Sequence, residues 1–393
     1  MIDIAENMSP VLKRLGAVEG DELTVRSAHG KLSGVVSTLA NAVLALIKLS
    51  AGLFFGNVAL TADGLNNLSD TGSAVISFIG FKISSMPADA KHPYGHARVE
   101  YVASMAVAII IFIMGIESII SSFGALIKPV YRQTSPLEFI ALGISIAVKL
   151  ALGIYNRRLG KRIDSDLVLA VSQDSFSDVL SSVAVMVSVF IQYRFSIVLD
   201  GVAGIFVSIL IIASGINIVR ASLDKILGEP PTKDMVEKIE KFVLGYDGIL
   251  GAHDLIIHDY GPCRCFVSIH AEVDASVNIL ESHDVIDKIE RDALRILNIQ
   301  MVVHMDPVRL DCPVIGNSSR LIAKTLRELS AELDFHDLRV VDGSVSHTFI
   351  FDVLMPVSCD ISKDEILQRL REALGTSYKN SELVVTFDTN YVK

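Results

Sequence analysis

TADGLNNLSDTG, residues 61–72, places two aspartates and two asparagines inside an apolar run that extends from Val58 to about Ser84. That run is long enough to cross a bilayer, which takes roughly 20 apolar residues. Carboxylates at membrane depth are costly and seldom face lipid, so Asp63 and Asp70 mark a candidate site. Asn66 and Asp70, spaced i and i+4, share one helix face with Cβ atoms about 5–6 Å apart. A second run, from about Asp166 to Gln192, repeats the spacing with Asp174 and Asp178 in SQDSFSDVLSS. Two helices that each offer such a pair of oxygen donors can close around one hard divalent cation.

Working outward, the chain of 393 residues is 51% hydrophobic and lacks Trp. Its apolar residues concentrate in six segments before residue 225, at about 32–55, 58–84, 99–124, 136–155, 166–192 and 197–219. The expected fold is a membrane all-α six-helix bundle over residues 31–227, preceded by a cytosolic segment, 1–30, with an amphipathic helix around Val11–Val18. The mixed, partly acidic start has no short apolar core with a small-residue cleavage site, so no cleaved signal peptide is expected. Orientation follows from the Lys/Arg bias. With the N-terminus inside, the inner side holds Lys13, Arg14, Arg26, Lys31, Lys82, Lys91, Arg98, Arg157, Arg158, Lys161, Arg162, Arg220 and Lys225, against Lys128, Arg132 and Arg194 outside. Both termini are therefore expected in the cytosol, and the membrane is expected to be a plasma (inner) membrane. The net charge of −10 comes mainly from the tail after Gly228 and argues against nucleic acid as a partner. The four cysteines, Cys263, Cys265, Cys312 and Cys359, all lie in that tail, where cytosolic thiols stay reduced. Cys263 and Cys265 read as strand residues, since a CxC without a second pair is a poor zinc knuckle.

The first segment carries Asn41, expected to hydrogen-bond a neighbouring helix, and Lys48, expected to snorkel. The loop MPADAKHPYGHARVE (86–100) spaces Asp89, His92 and His96 by 3 and 4, compatible either with one metal-binding face or with a polar turn. Glu117 and Asp200 read as interfacial, and NRRLGKRIDSD (156–166) as an inner-leaflet contact. Serines 172, 175, 177, 181 and 182 around Asp174 and Asp178 permit close helix approach. GEPPTK (228–233) is a helix stop and linker.

The remaining tail reads twice as helix–strand–strand–helix–strand, a cytosolic α+β fold over residues 228–309 with a second, degenerate copy over 310–393. AHDL (252–255) answers FHDL (335–338), and MVVHMD (301–306) answers LVVTFD (383–388). The first unit is rich in histidine: His253, His258, His270, His283 and His304, with Asp306 beside the last. In the second, Thr386 replaces His304 and Lys363 falls near the place of His283, while His336 and Asp388 persist. That copy is expected to keep the fold and lose most of the ligands.

On these motifs the chain resembles the cation diffusion facilitator family from about Lys31 to Val308. The resemblance implies six transmembrane helices, a cytosolic metallochaperone-like (ferredoxin-like) αββαβ domain, a homodimer, and divalent-metal/proton antiport. It implies a transport site of Asn66, Asp70, Asp174 and Asp178, a loop site of Asp89, His92 and His96, and a dimer-bridging binuclear site of His253, His270, His283, His304 and Asp306. Zinc-transporting members usually carry His in the fifth-helix pair. Here the set is all oxygen, which resembles the manganese-exporting branch and suits Mn²⁺ over Zn²⁺. Export of Zn²⁺ or Fe²⁺ is the alternative within the family. Metal and protons would compete for the same carboxylates, with no nucleotide motif and no enzymatic activity. A membrane-anchored metal sensor is the alternative of another class, disfavoured because an anchor has no need of three intramembrane carboxylates. A passive channel is disfavoured because no acid ring or carbonyl filter is visible.

Overall fold

The computed structural model describes residues 10–18, 21–54, 58–127, 136–195, 200–310, 312–342, 347–356, 359, 361–378 and 380–390. Two compact units emerge: residues 1–229 with 259–264, and residues 230–258 with 265–393.

The first unit is helical. After a short helix, α1 (Pro10–Arg14), come six long ones: α2 (Glu22–Phe54), α3 (Val58–Ser84), α4 (Val99–Ile127), α5 (Pro136–Arg162), α6 (Asp166–Phe195) and α7 (Asp200–Leu227). Each expected apolar segment corresponds to one of them. α1 is shorter than the expected amphipathic helix; its Leu12 packs with Ala17, Val25 and Ala28. α2 begins earlier than its apolar run because its first turns are buried through polar contacts. Arg26 Nη1 and Nη2 donate to Glu100 Oε2 and Oε1 at 2.5 and 2.8 Å, and the same guanidinium reaches the carbonyls of Ile163 and Asp164 at 2.7 Å. Among the described residues, three stretches are long and apolar enough to cross a membrane: Glu22–Ser50, Val99–Ile127 and Gly204–Leu227. The other three long helices carry ionisable residues that lower their hydropathy, among them Asp70, Lys149 and Asp174. All six also expose large apolar side chains, such as Leu46, Ile79, Ile120, Ile140, Phe190 and Phe206.

Inside the bundle, Phe81, Val107, Ile111, Leu167, Val168 and Val207 form the apolar core. Small residues set the seams. A Cβ at Gly34 of α2 would lie 3.0 Å from the Phe78 backbone of α3, so only glycine permits that approach. Polar residues tie α2 to α5: Ser33 Oγ donates to Asn156 Oδ1 at 2.8 Å, and Asn156 Nδ2 to Ser37 Oγ at 3.0 Å. Lys48 belongs to this seam. It does not snorkel: its side chain is buried and Nζ donates to Ser145 Oγ at 2.7 Å. Asn41 is also buried, and its Oδ1 has no hydrogen-bond partner among the described residues. Glu117 is exposed; Lys128 and Arg132, and the side chains of Arg194 and Asp200, lie outside the description.

Leu227 ends α7 because Gly228 adopts φ +110°, a left-handed conformation that favours glycine, and Pro230-Pro231 prevents the helix resuming. The second unit then runs α8 (Lys233–Leu244), β1 (Ile249–Asp259), β2 (Cys265–Asp274), α9 (Ile279–Asp292) with a π-helical turn to Leu297, and β3 (Ile299–Val308). It continues with α10 (Pro313–Leu329), β4 (Asp334–Asp342), β5 (His347–Pro356), α11 (Lys363–Ser377) and β6 (Glu382–Asn390). Two three-stranded sheets result, ordered β1-β2-β3 and β4-β5-β6. β2 pairs with β3 in parallel, as β5 does with β6. In each central strand alternate residues face a core: Val267, Ile269, Ala271 and Val273 in β2, and Phe349, Phe351 and Val353 in β5. α9 is capped by the Asn278 side chain, and α11 by Ser362 Oγ accepting from Glu365 N at 3.2 Å.

Candidate metal sites

α3 supplies Asp70, and α6 supplies Asp174 and Asp178. One carboxylate oxygen from each lies within 4.8 Å of the other two. The spacing of four residues puts Asp174 and Asp178 on one face of α6, turned to α3, while the serines beside them lower the bulk at the seam. Ser172 Oγ, for example, donates to the Gly153 carbonyl of α5 at 2.9 Å. Asn66 stands one turn before Asp70 on α3 and is half-buried.

α5 adds a residue that the sequence reading did not single out. Lys149 Nζ donates to Asp70 Oδ2 and to Asp178 Oδ2, both at 2.6 Å, and its side chain is buried. An ammonium between carboxylates cancels part of their mutual repulsion, which would otherwise be severe in a low-dielectric interior. Asp70 keeps one oxygen in reserve: Oδ1 is buried and has no hydrogen-bond partner among the described residues. On the same helix, Ser73 Oγ and Ser77 Oγ are likewise buried without one. The arrangement is thus a cluster of carboxylates with unused oxygen donors and a lysine held among them. A signal for Lys149 existed, since a lysine within the apolar run of residues 136–155 is as anomalous as an aspartate.

Between α3 and α4, the loop gathers Asp89, His92 and His96, again with ligand atoms within 4.8 Å of each other. Asp89 Oδ1 accepts from the His92 and Lys91 amides at 2.7 and 2.9 Å, and these bonds, His92's foremost, hold its carboxyl below the ordinary range. His96 Nε2 lies 3.5 Å from Asp89 Oδ2 while its Nδ1 contacts the Pro87 carbonyl at 3.1 Å. A carbonyl on one ring nitrogen orients the other toward the carboxylate, an arrangement common in metal-ligating histidines.

In the second unit, His253 of β1, His270 of β2 and Asp306 of β3 form a third set. His270 Nδ1 is 2.8 Å from Asp306 Oδ2, and His253 Nε2 is 3.5 Å from the same oxygen. The parallel register opposes His270 to His304, whose ring centroid lies 4.6 Å from that of His270 and whose Nε2 is 3.4 Å from Asp306 Oδ1. His304 remains largely exposed. His283 is exposed on α9 and His258 on β1, and among the described residues neither joins a set. Neither does Cys263, whose thiol burial pushes up to about 11.

Residues 34–227 match the cation efflux transmembrane domain, and residues 231–308 match the cytoplasmic domain of cation efflux proteins. The chain is 33% identical over 279 residues to an uncharacterized transporter of Methanocaldococcus jannaschii, covering 70% of this chain and 97% of that protein. It is 30% identical over 282 residues to the manganese efflux system protein MneS of Bacillus subtilis, covering 71% and 96%. It is 24% identical over 300 residues to the cation-efflux pump FieF of Escherichia fergusonii, covering 75% and 98%.

Proposed function

The chain belongs to the cation efflux, or cation diffusion facilitator, family of membrane metal transporters, and we propose that it exports Mn²⁺ from the cytosol in exchange for protons. It is a transporter and not an enzyme. The transport site consists of Asn66, Asp70, Asp174 and Asp178. The observation that carries this reading is the convergence of three carboxylates from α3 and α6 with no imidazole in the set. Carboxylate and amide oxygens suit Mn²⁺, whereas zinc favours nitrogen and sulfur. The relative named for manganese efflux supports the same choice.

Lys149 gives the site a resting state. With no metal bound, its ammonium satisfies Asp70 and Asp178; an arriving divalent ion displaces it. Protons from the outer side then compete with the metal for the same carboxylate oxygens, so release of cargo and return of the ammonium are one exchange of cations. All six long helices cross the plasma (inner) membrane as the domain of residues 31–227, and both the 1–30 segment and the tail are cytosolic. The protein works as a homodimer, in which the loop set and the binuclear set of the 228–309 domain, with His283 among its ligands, take up cytosolic metal. Residues 310–393 are a second copy of the αββαβ fold.

Transport into proteoliposomes holding a pH-sensitive dye tests the manganese assignment, with Mn²⁺ and then Zn²⁺ offered to wild type and to Asp174→His. Mn²⁺-driven proton movement in wild type, and gain of Zn²⁺ transport in the variant, are expected. Wild-type transport of Zn²⁺ as fast as Mn²⁺ would refute it.

A further inference from the structure

The two tail sheets correspond residue by residue. In the first, the parallel register sets His270 against His304 and Glu272 against Asp306. In the second, it sets Asp352 against Thr386 and Leu354 against Asp388. Taking MVVHMD over LVVTFD, Asp306 corresponds to Asp388, and Asp352 stands where His270 stands. Taking AHDL over FHDL, His253 corresponds to His336 and Asp254 to Asp337. The backbone agrees: Asp254 and Asp337 both adopt left-handed conformations, with φ of +51° and +53°. So His336, Asp352 and Asp388 occupy the places of His253, His270 and Asp306. At these three places the second copy keeps a histidine and an aspartate and carries Asp352 where the first has His270, while Thr386 and Lys363 stand at the places of His304 and His283.

These three side chains also converge. With Asp254 of the first sheet, they bring one imidazole nitrogen and three carboxylate oxygens within 4.8 Å of one another. His336 Nε2 lies 2.8 Å from Asp254 Oδ1 and 3.5 Å from Asp388 Oδ2. That nitrogen is buried and has no hydrogen bond of good geometry among the described residues. Beside it the ring of His253 lies tilted, at 4.6 Å between centroids. The His253 side chain is only 9% exposed, and neither ring nitrogen has a hydrogen-bond partner among the described residues. Buried imidazole nitrogens without hydrogen bonds, facing carboxylates, are what a cation site looks like when its ligands are considered alone.

We propose that Asp254, His336, Asp352 and Asp388 form a further divalent-metal site, in which the ion joins the first αββαβ unit to the second within one chain. One imidazole and up to three carboxylates accommodate Mn²⁺, Fe²⁺ or Zn²⁺. The site gives residues 310–393 a role: they supply ligands from the same chain at the surface where the first unit's own set, His253, His270 and Asp306, opens. The two sets sit side by side, because His253 lies beside His336 and Asp254 lies between them. An ion in the further site binds Asp254 and His336 together and so holds the two sheets in one relation.

The test uses the full-length protein in detergent, titrated with MnCl₂ while free Mn²⁺ is read from its aqueous EPR signal. The Asp352→Asn/Asp388→Asn double variant is expected to bind one Mn²⁺ fewer per chain than wild type. The same deficit of one ion is expected when both proteins also carry Asp174→Asn, so failure of the transport-site reading and failure of this one are separable. Equal counts in wild type and double variant overturn the proposal. Hydrogen exchange on wild type provides a second reading that does not depend on the variant folding. Saturating Mn²⁺ should slow exchange across β4 and β6, and exchange there that ignores Mn²⁺ overturns the proposal.

Discussion

Replacing Lys149 by Met keeps much of the side-chain volume and removes the ammonium that pairs with Asp70 and Asp178. Each of its two contacts is a charge-assisted hydrogen bond of 2.6 Å. Such bonds are worth about 1.5–3 kcal/mol net, so an incoming metal ion gives up about 3–6 kcal/mol to displace Lys149. The freed ammonium recovers part of this from water or backbone carbonyls, which makes the lower end the better figure. About 3 kcal/mol corresponds to roughly a hundredfold in affinity. Lys149→Met should therefore bind Mn²⁺ about a hundredfold more tightly at the transport site. Its turnover should fall, because an ion without a tethered competitor leaves slowly. The assay is calorimetric titration in detergent at pH 8, where proton competition is weak, with Asp174→Asn subtracting ions bound elsewhere. A folded Lys149→Met protein whose Mn²⁺ affinity is unchanged or weaker would refute the reasoning. Lys149 would then be a structural pillar and not a stand-in for the cargo.

The metal-free tail should loosen as pH rises from the ordinary carboxylate value to above the ordinary imidazole value. Burial alone would lower the His336 pKa, but the Asp254 carboxylate beside it raises it on balance, and burial together with Asp254 and Asp352 raises that of Asp388. A group whose folded pKa is raised contributes stability that is lost as pH climbs through that value. Asp254, held well below the carboxylate range by His253 and His336, contributes stability that is lost only as pH falls through its own low value. Hydrogen exchange across β4 at stepped pH, with and without Mn²⁺, checks this: protection without metal should be greatest near the acidic end of the window. Breaking the buried Arg26–Glu100 pair with Glu100→Ala should cost about 3–5 kcal/mol, because Arg26 is then left buried without its counter-charge. Thermal unfolding in detergent measures it, and a Tm within a degree or so of wild type would mean that water reaches Arg26.

Much of this architecture was legible because it rests on periodicity. The six helices follow from runs of apolar residues, and Asp70, Asp174 and Asp178 stand out because carboxylates violate those runs. The tail's two sheets follow from alternation and from the paired HDL motifs. What escaped reading depends on contacts between elements far apart in sequence. Lys149 meets Asp70 across 79 positions and Arg26 meets Glu100 across 74, so although Lys149 stands out in its apolar run, nothing local names either partner. Lys48 is a case of the same kind: whether a lysine snorkels or turns inward depends on a Ser145 that lies on another helix. Asp352 was invisible because its equivalence to His270 is one of strand register, and a sequence comparison that looks for histidine passes over an aspartate in the same place.

In the proposed transport cycle, α3 and α6 hold the transported ion between their carboxylates. The most direct measurement is Mn²⁺ uptake into proteoliposomes by Asp174→Asn beside wild type, with proton movement recorded in the same vesicles. The substitution keeps the side-chain volume and removes one charge from the set. Mn²⁺ flux and the accompanying proton flux are both expected to fall to the level of empty vesicles, while the detergent-solubilised variant still binds Mn²⁺ at its tail. Flux equal to wild type would contradict that cycle and place the path of the ion elsewhere.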